Sequence, residues 1–133
     1  MATIQNVVLS LKRDKDRNLV NVKVTGKISF TKLEQCIMKT CKDSPLFKLK
    51  CKLFGDDAWL TGADDDLYTF PNVKVYSDGS PAPVENFEFE TVVGESLLDE
   101  DFGKDEIYAK VKLYNLLAGT VAAKNSNVVT GWF

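Results

Sequence analysis

The sequence predicts a mainly β fold, an antiparallel β-sandwich of about seven or eight strands with one short helix near residues 31–42. Three observations predict it. Apolar residues recur at every second position through most of the chain, the period of a strand with one buried face. Clusters of turn-forming residues separate these runs. A single stretch, residues 31–42, changes to the spacing of a helix.

Size and composition fit that class. The chain has 133 residues, close to the usual size of one domain, and residues 1–133 are expected to form one. Hydrophobic residues make up 44%, with eight Phe, four Tyr and two Trp. A chain of this length buries roughly two-thirds of its unfolded surface, so it needs neither metal nor disulfide to fold.

The elements follow in order. Residues 4–11 are apolar enough for a strand although their alternation is imperfect, and the polar residues 12–18 read as a hairpin loop. Residues 19–31 alternate cleanly, with Val20, Val22 and Val24 on one face and Ile28 and Phe30 continuing past Gly26. That glycine marks a bulge or bend. Thr31-Lys-Leu-Glu34 has the form of a capping box, in which hydroxyl and carboxylate satisfy backbone N–H groups reciprocally. Leu33, Cys36, Ile37, Thr40 and Cys41 then form a helical stripe expected to be buried, and Pro45 ends the helix.

Strand spacing returns at Phe47, Leu49, Cys51 and Leu53, with Lys48, Lys50 and Lys52 on the opposite face. An acidic loop is expected over residues 56–66, strands over 73–76 and 87–93, a second acidic loop over 99–106, and a strand over 107–114. Asn125-Ser-Asn127 reads as a turn before the apolar end, residues 128–133. The pattern as a whole resembles immunoglobulin-like or C2-like sandwiches, a likeness of fold that implies no function.

The chain contains no histidine, which excludes Ser-His-Asp triads, Cys-His dyads and imidazole acid–base catalysis. No Gly-rich phosphate loop is present. The protein is therefore expected not to be an enzyme. Cys36, Cys41 and Cys51 have no histidine beside them to complete a zinc site, and their positions suit core packing.

Charge is unevenly placed. Residues 1–54 carry twelve Lys and Arg against four Asp and Glu, a net +8, whereas residues 55–133 carry five against fifteen, a net −10. Either basic and acidic strands neutralise each other across the fold, or opposite faces attract copies of the molecule head to tail. The basic cluster Lys12, Arg13, Lys15 and Arg17 reads as a solvated hairpin tip. With a pI of about 5.2 and no recognised motif, nucleic acid is not an expected partner.

The leading expectation is a non-enzymatic binding or structural module that self-associates or binds another protein. Val128, Val129, Trp132 and Phe133, apolar to the chain's last residue, are the candidate interface, since ends are usually polar and frayed. The alternative is a calcium-assisted module for carbohydrate or lipid headgroups. Its metal shell would come from Asp56, Asp57, Asp64, Asp65 and Asp66 of one loop and Asp99, Asp101 and Asp105 of the other, because calcium takes six to eight oxygens. Trp59 would stack on the ligand. Otherwise no cofactor is expected. The N-terminal stretch has no secretory pattern and no apolar run approaches the roughly 20 residues needed to cross a bilayer, so a cytoplasmic, non-spanning protein is expected, a description that a mature secreted chain would share.

Overall fold

A computed structural model describes residues 2–14, 16–40, 46–55, 65–71, 73–76, 82–95, 105–116 and 119–131, with the backbone alone for residues 65, 66, 105, 120, 121 and 131. Nine strands and one helix occur among them. They are β1 (Thr3–Asp14), β2 (Leu19–Ser29), α1 (Lys32–Thr40), β3 (Phe47–Gly55), β4 (Asp65–Thr69), β5 (Lys74–Tyr76), β6 (Val84–Gly94), β7 (Asp105–Asn115), β8 (Gly119–Asn125) and β9 (Val129–Gly131). No described helix is long and apolar enough to cross a membrane.

Every strand pairing is antiparallel, and the strands form two sheets. One has the order β1-β2-β6; the other centres on β3 and β7. The outer edge of β3 is covered by β5 at residues 47–49 and by β4 at residues 52–55. The outer edge of β7 is covered by β9 at residues 105–107 and by β8 at residues 110–115. Each outer pair is thus one long strand broken once, and counting each as one gives seven. Relative to the seven-stranded immunoglobulin constant-type order, the fourth strand joins the second sheet instead of the first, leaving three strands facing four.

The inner faces follow the period-two pattern. Val20, Val22, Val24 and Ile28 of β2 are fully buried, as are Leu49, Leu53, Val111 and Leu113 of the opposite sheet. One cluster of buried side chains gathers both faces, with Phe30, Phe47, Phe70, Phe87 and Phe89 among its aromatic members.

The imperfect alternation of residues 4–11 has a structural cause. The β1–β2 register shifts between Gln5 and Val8, and Asn6 takes the left-handed φ of 55°. This bulge returns Val7 and Leu9 to the buried face after Ile4. The expected bulge at Gly26 is therefore carried by the facing strand. Gly26 itself lies opposite Phe87, and a Cβ there would fall 2.7 Å from Phe87 Cε2 and 3.2 Å from the Gln5 carbonyl oxygen. The missing side chain makes room for the ring.

The capping box is present. The Glu34 N–H donates to Thr31 Oγ1 at 3.2 Å, and the Thr31 N–H donates to Glu34 Oε1 at 2.8 Å. Glu34 Oε2 also accepts from the Ala2 N–H at 3.0 Å, tying the helix to the start of β1. The Glu34–Met38 side of the helix faces inward, so the expected stripe is displaced. Met38 is the buried residue of the helix, Ile37 is half-buried, and Leu33 is 70% exposed. Cys36 is exposed, against the packing expected of it, whereas Cys51 is buried in β3. Cys41 lies outside the described residues.

Other expectations also change. Lys12 and Arg13 pair within β1 with Asn21 and Val20, so the hairpin loop is shorter than residues 12–18. The expected acidic loops include strand residues, since Asp65 and Asp66 begin β4 and Asp105 and Glu106 begin β7. Asn125-Ser-Asn127 does not reverse the chain; β8 and β9 both run antiparallel to β7 on either side of it. At the break, Ala109 and Ser126 exchange two hydrogen bonds of 2.8 Å, one through the Ser126 hydroxyl.

Candidate functional site

The lysines of β3 acquire neighbours that the linear sequence does not show. Antiparallel pairing sets Lys50 opposite Lys112 and Lys52 opposite Lys110, with Lys48 opposite Tyr114 and Phe54 opposite Tyr108. Residues directly opposite share a face. Because Leu49, Cys51 and Leu53 face the core with Ala109, Val111 and Leu113, these lysines and rings all lie on the outer face of the sheet.

A groove of about 300 Å³ runs over this face, lined by Lys50, Lys52, Lys110, Lys112, Phe54 and Tyr114. The break between β4 and β5 walls one side with Thr69, Phe70, Pro71 and Val73. Phe70 is held there by its own packing. Its ring lies 5.6 Å from Phe89 and 5.3 Å from Tyr68, centroid to centroid, and its N–H donates to the Cys51 carbonyl at 3.0 Å.

Two like-charged pairs side by side are unfavourable. Like charges directly opposite on a sheet cost a fraction of a kcal/mol up to about 1 kcal/mol per pair. The geometry shows how two of the lysines relieve this. Lys50 Nζ lies 5.2 Å from the centroid of the Tyr114 ring, and Lys110 Nζ lies 5.8 Å from that of Phe54. The two ammonium groups thus lean toward opposite ends of the groove, each onto an aromatic face, a contact worth about 0.5–1 kcal/mol at an exposed site. Phe54 is itself braced by Tyr108, stacked at 5.5 Å with an interplanar angle of 16°.

The three-stranded sheet treats charge differently. Lys23 of β2 pairs with Glu88 of β6 at 2.9 Å, and Arg13 of β1 pairs with Glu95 just beyond β6. The hydrogen bonds and the charges of these glutamates raise both basic pKa values. In that sheet the basic first part of the chain meets the acidic second part, strand beside strand. On the outer face of β3 and β7, basic strand meets basic strand.

The other predicted site residues divide into two groups. Asp56, Asp57, Trp59, Asp64, Asp99, Asp101, Trp132 and Phe133 lie outside the described residues. Asp65, Asp66 and Asp105 have described backbones within β4 and β7. The two acidic segments are anchored at one end of the sheet, because Gly55 pairs with both Asp65 and Ile107. Among the described residues no group of three or more Cys, Asp or Glu side chains is placed to hold a metal ion. Val129 pairs with Ile107 and packs against the core, while Val128 is 48% exposed.

Sequence reasoning missed Lys110, Lys112, Phe54 and Tyr114. One signal was present: Lys110-x-Lys112-x-Tyr114 alternates opposite the buried Ala109, Val111 and Leu113 just as Lys48, Lys50 and Lys52 alternate opposite Leu49, Cys51 and Leu53. Only the pairing of β3 with β7 makes one surface of two stripes.

No family model matches the chain, and no curated protein matches it in sequence. Among solved structures it is similar to a crystal structure from Bordetella pertussis of a protein provisionally named ApaA, with a TM-score of 0.41 and 10% sequence identity over 98% of this chain and 91% of that one.

Proposed function

We propose that the protein is a non-enzymatic binding module whose ligand surface is the lysine and aromatic groove of β3 and β7, and that its ligand is anionic. The observation that carries this reading is the cross-strand pairing of Lys50 with Lys112. A sheet face designed for stability alone would alternate opposite charges, as Lys23 and Glu88 do on the other sheet. An anion in the groove converts the mutual repulsion of the lysines into attraction. The lining offers ammonium groups, a hydroxyl and a phenol, all of which can donate hydrogen bonds to an anion.

Titration with inorganic polyphosphate at low and high salt tests the reading. Binding should weaken as salt rises, because the contacts are exposed, and Lys50→Glu with Lys112→Glu should abolish it. Full-strength binding by that double variant would place the ligand surface elsewhere.

Self-association is the second reading, favoured by the gathering of lysines on one face while the chain retains an excess of Asp and Glu after residue 55. Sedimentation at low and high salt tests it. A monomer at every concentration and salt would remove it.

A further inference from the structure

Resting on the reading of the groove as an anion site, we infer that its ligand is single-stranded nucleic acid, held by phosphate contacts to the lysines and by base stacking on the rings at the groove's two ends. The expectation of no nucleic-acid partner rested on the acidic pI, on the absence of a recognised motif and on reading the basic hairpin tip as solvated. Screening confines charge effects to roughly 8–10 Å, so the local field of the groove governs a bound strand, and net charge does not.

Four features point to this class. The lysines form two rows on adjacent strands, and two residues along a strand span about 6.6–6.8 Å, so the charges track an extended backbone. The basic groups of the lining are all lysine. Lysine is a compact point charge without the fixed fork by which arginine selects carboxylates, which suits recognition by charge density. Phe54 and Tyr114 lie at opposite ends of the lysine array and are only half-buried. Finally, among the described residues the groove lies on a sheet face and is walled on one side by the break between β4 and β5. A row of basic side chains flanked by aromatic rings on such a surface matches the two requirements of sequence-tolerant single-strand binding.

The cation–ring contacts supply the exchange. In the free protein Lys50 covers Tyr114 and Lys110 covers Phe54. A phosphate draws each ammonium group off its ring, and the uncovered face takes a base. Stacking on a base outweighs an exposed ammonium–ring contact, so the exchange is favourable even before the phosphate contacts are counted. A duplex keeps its bases stacked inside and cannot make this exchange.

The test uses a fluorescently labelled oligothymidine, a duplex of the same length and inorganic polyphosphate, each titrated against the full chain and against Phe54→Ala, Tyr114→Ala and Lys50→Glu/Lys112→Glu. Oligothymidine should bind more tightly than the duplex, the charge variant should lose both oligothymidine and polyphosphate, and each ring variant should weaken oligothymidine about tenfold while leaving polyphosphate unchanged. Circular dichroism confirms that each variant is folded. Polyphosphate binding with ring variants that leave oligothymidine unaffected, or with duplex bound as tightly as single strand, overturns the nucleic-acid assignment and leaves the anion site standing. Failure of all three probes to bind overturns both.

Discussion

The side-chain amide of Asn127 hydrogen bonds both polar atoms of the Leu9 backbone on the outer edge of β1, 118 residues away in sequence. The Leu9 N–H donates to Asn127 Oδ1 at 2.8 Å, and Asn127 Nδ2 donates to the Leu9 carbonyl at 3.3 Å. A side chain thereby imitates a neighbouring strand for one residue. It can do so because the break between β8 and β9 brings Asn127 to the seam between the sheets. The pair satisfies the edge at that residue, and it joins the two sheets on the β1 side. On the other side the hydroxyls of Tyr68 and Thr91 share a hydrogen bond of 3.1 Å.

Asn127→Ala removes both bonds and leaves two backbone groups of a part-buried seam without their partner. The expected cost is about 1–3 kcal/mol, a fall in Tm of several degrees at roughly 2–8 °C per kcal/mol. Asn127→Asp keeps the acceptor for the Leu9 N–H but sets a charged oxygen against the Leu9 carbonyl, so it should cost at least as much. Thermal melts of both variants check this, and an unchanged midpoint in both would show that the seam does not depend on the amide.

Gly26→Ala forces a methyl group into the Phe87 ring. A cost of about 1–3 kcal/mol is expected from overpacking. Phe87→Leu in the same chain should recover part of it, because the shorter side chain vacates the space over Gly26. A double-mutant cycle by denaturant unfolding reads the coupling directly; additive costs would mean that the ring is not what opposes the methyl group.

Lys112→Glu should stabilise the protein while weakening polyphosphate binding at the proposed groove. It replaces a like-charge cross-strand pair with an opposite-charge pair facing Lys50, a change of a few tenths to about 1 kcal/mol. The gain should shrink as salt rises. A variant that loses stability at low salt would show that Lys112 makes contacts of its own that outweigh repulsion from Lys50.

Burial pushes the Cys51 thiol up to about 12, above the ordinary thiol value near 8.5. The folded state therefore keeps its proton where the unfolded chain has lost it. The stability tied to this thiol is whole below the unfolded pKa and declines as pH rises toward 12. In the native protein at pH 8, Cys36 should be alkylated quickly, since it is exposed, and Cys51 only after denaturation. Peptide-resolved mass spectrometry of the alkylated chain separates the two.

The capping box and the inward faces of β2 and β3 were legible because each is set by residues a few positions apart. Thr31 and Glu34 bond across three residues, and Val20, Val22 and Val24 share a face because side chains alternate along any strand. The helix was legible as a helix, yet its buried side was not. Its inward side is the one bonded to Ala2, a partner 32 residues distant. Strand β4 was hidden because Asp65-Asp66 looks like loop, and only pairing to β3 makes it strand.

The candidate site divides in the same way. The sequence by itself determined that β3 and β7 each carry a basic outward face, since local alternation decides which residues share a side. Only the tertiary structure decided that these faces coincide, that Lys50 meets Lys112 while Lys23 meets Glu88, and that Phe54 and Tyr114 stand at the ends of one groove. Side-chain alternation is a property of neighbouring residues. Which strand lies beside which is settled by burying the whole core at once, and no stretch of sequence carries that information alone.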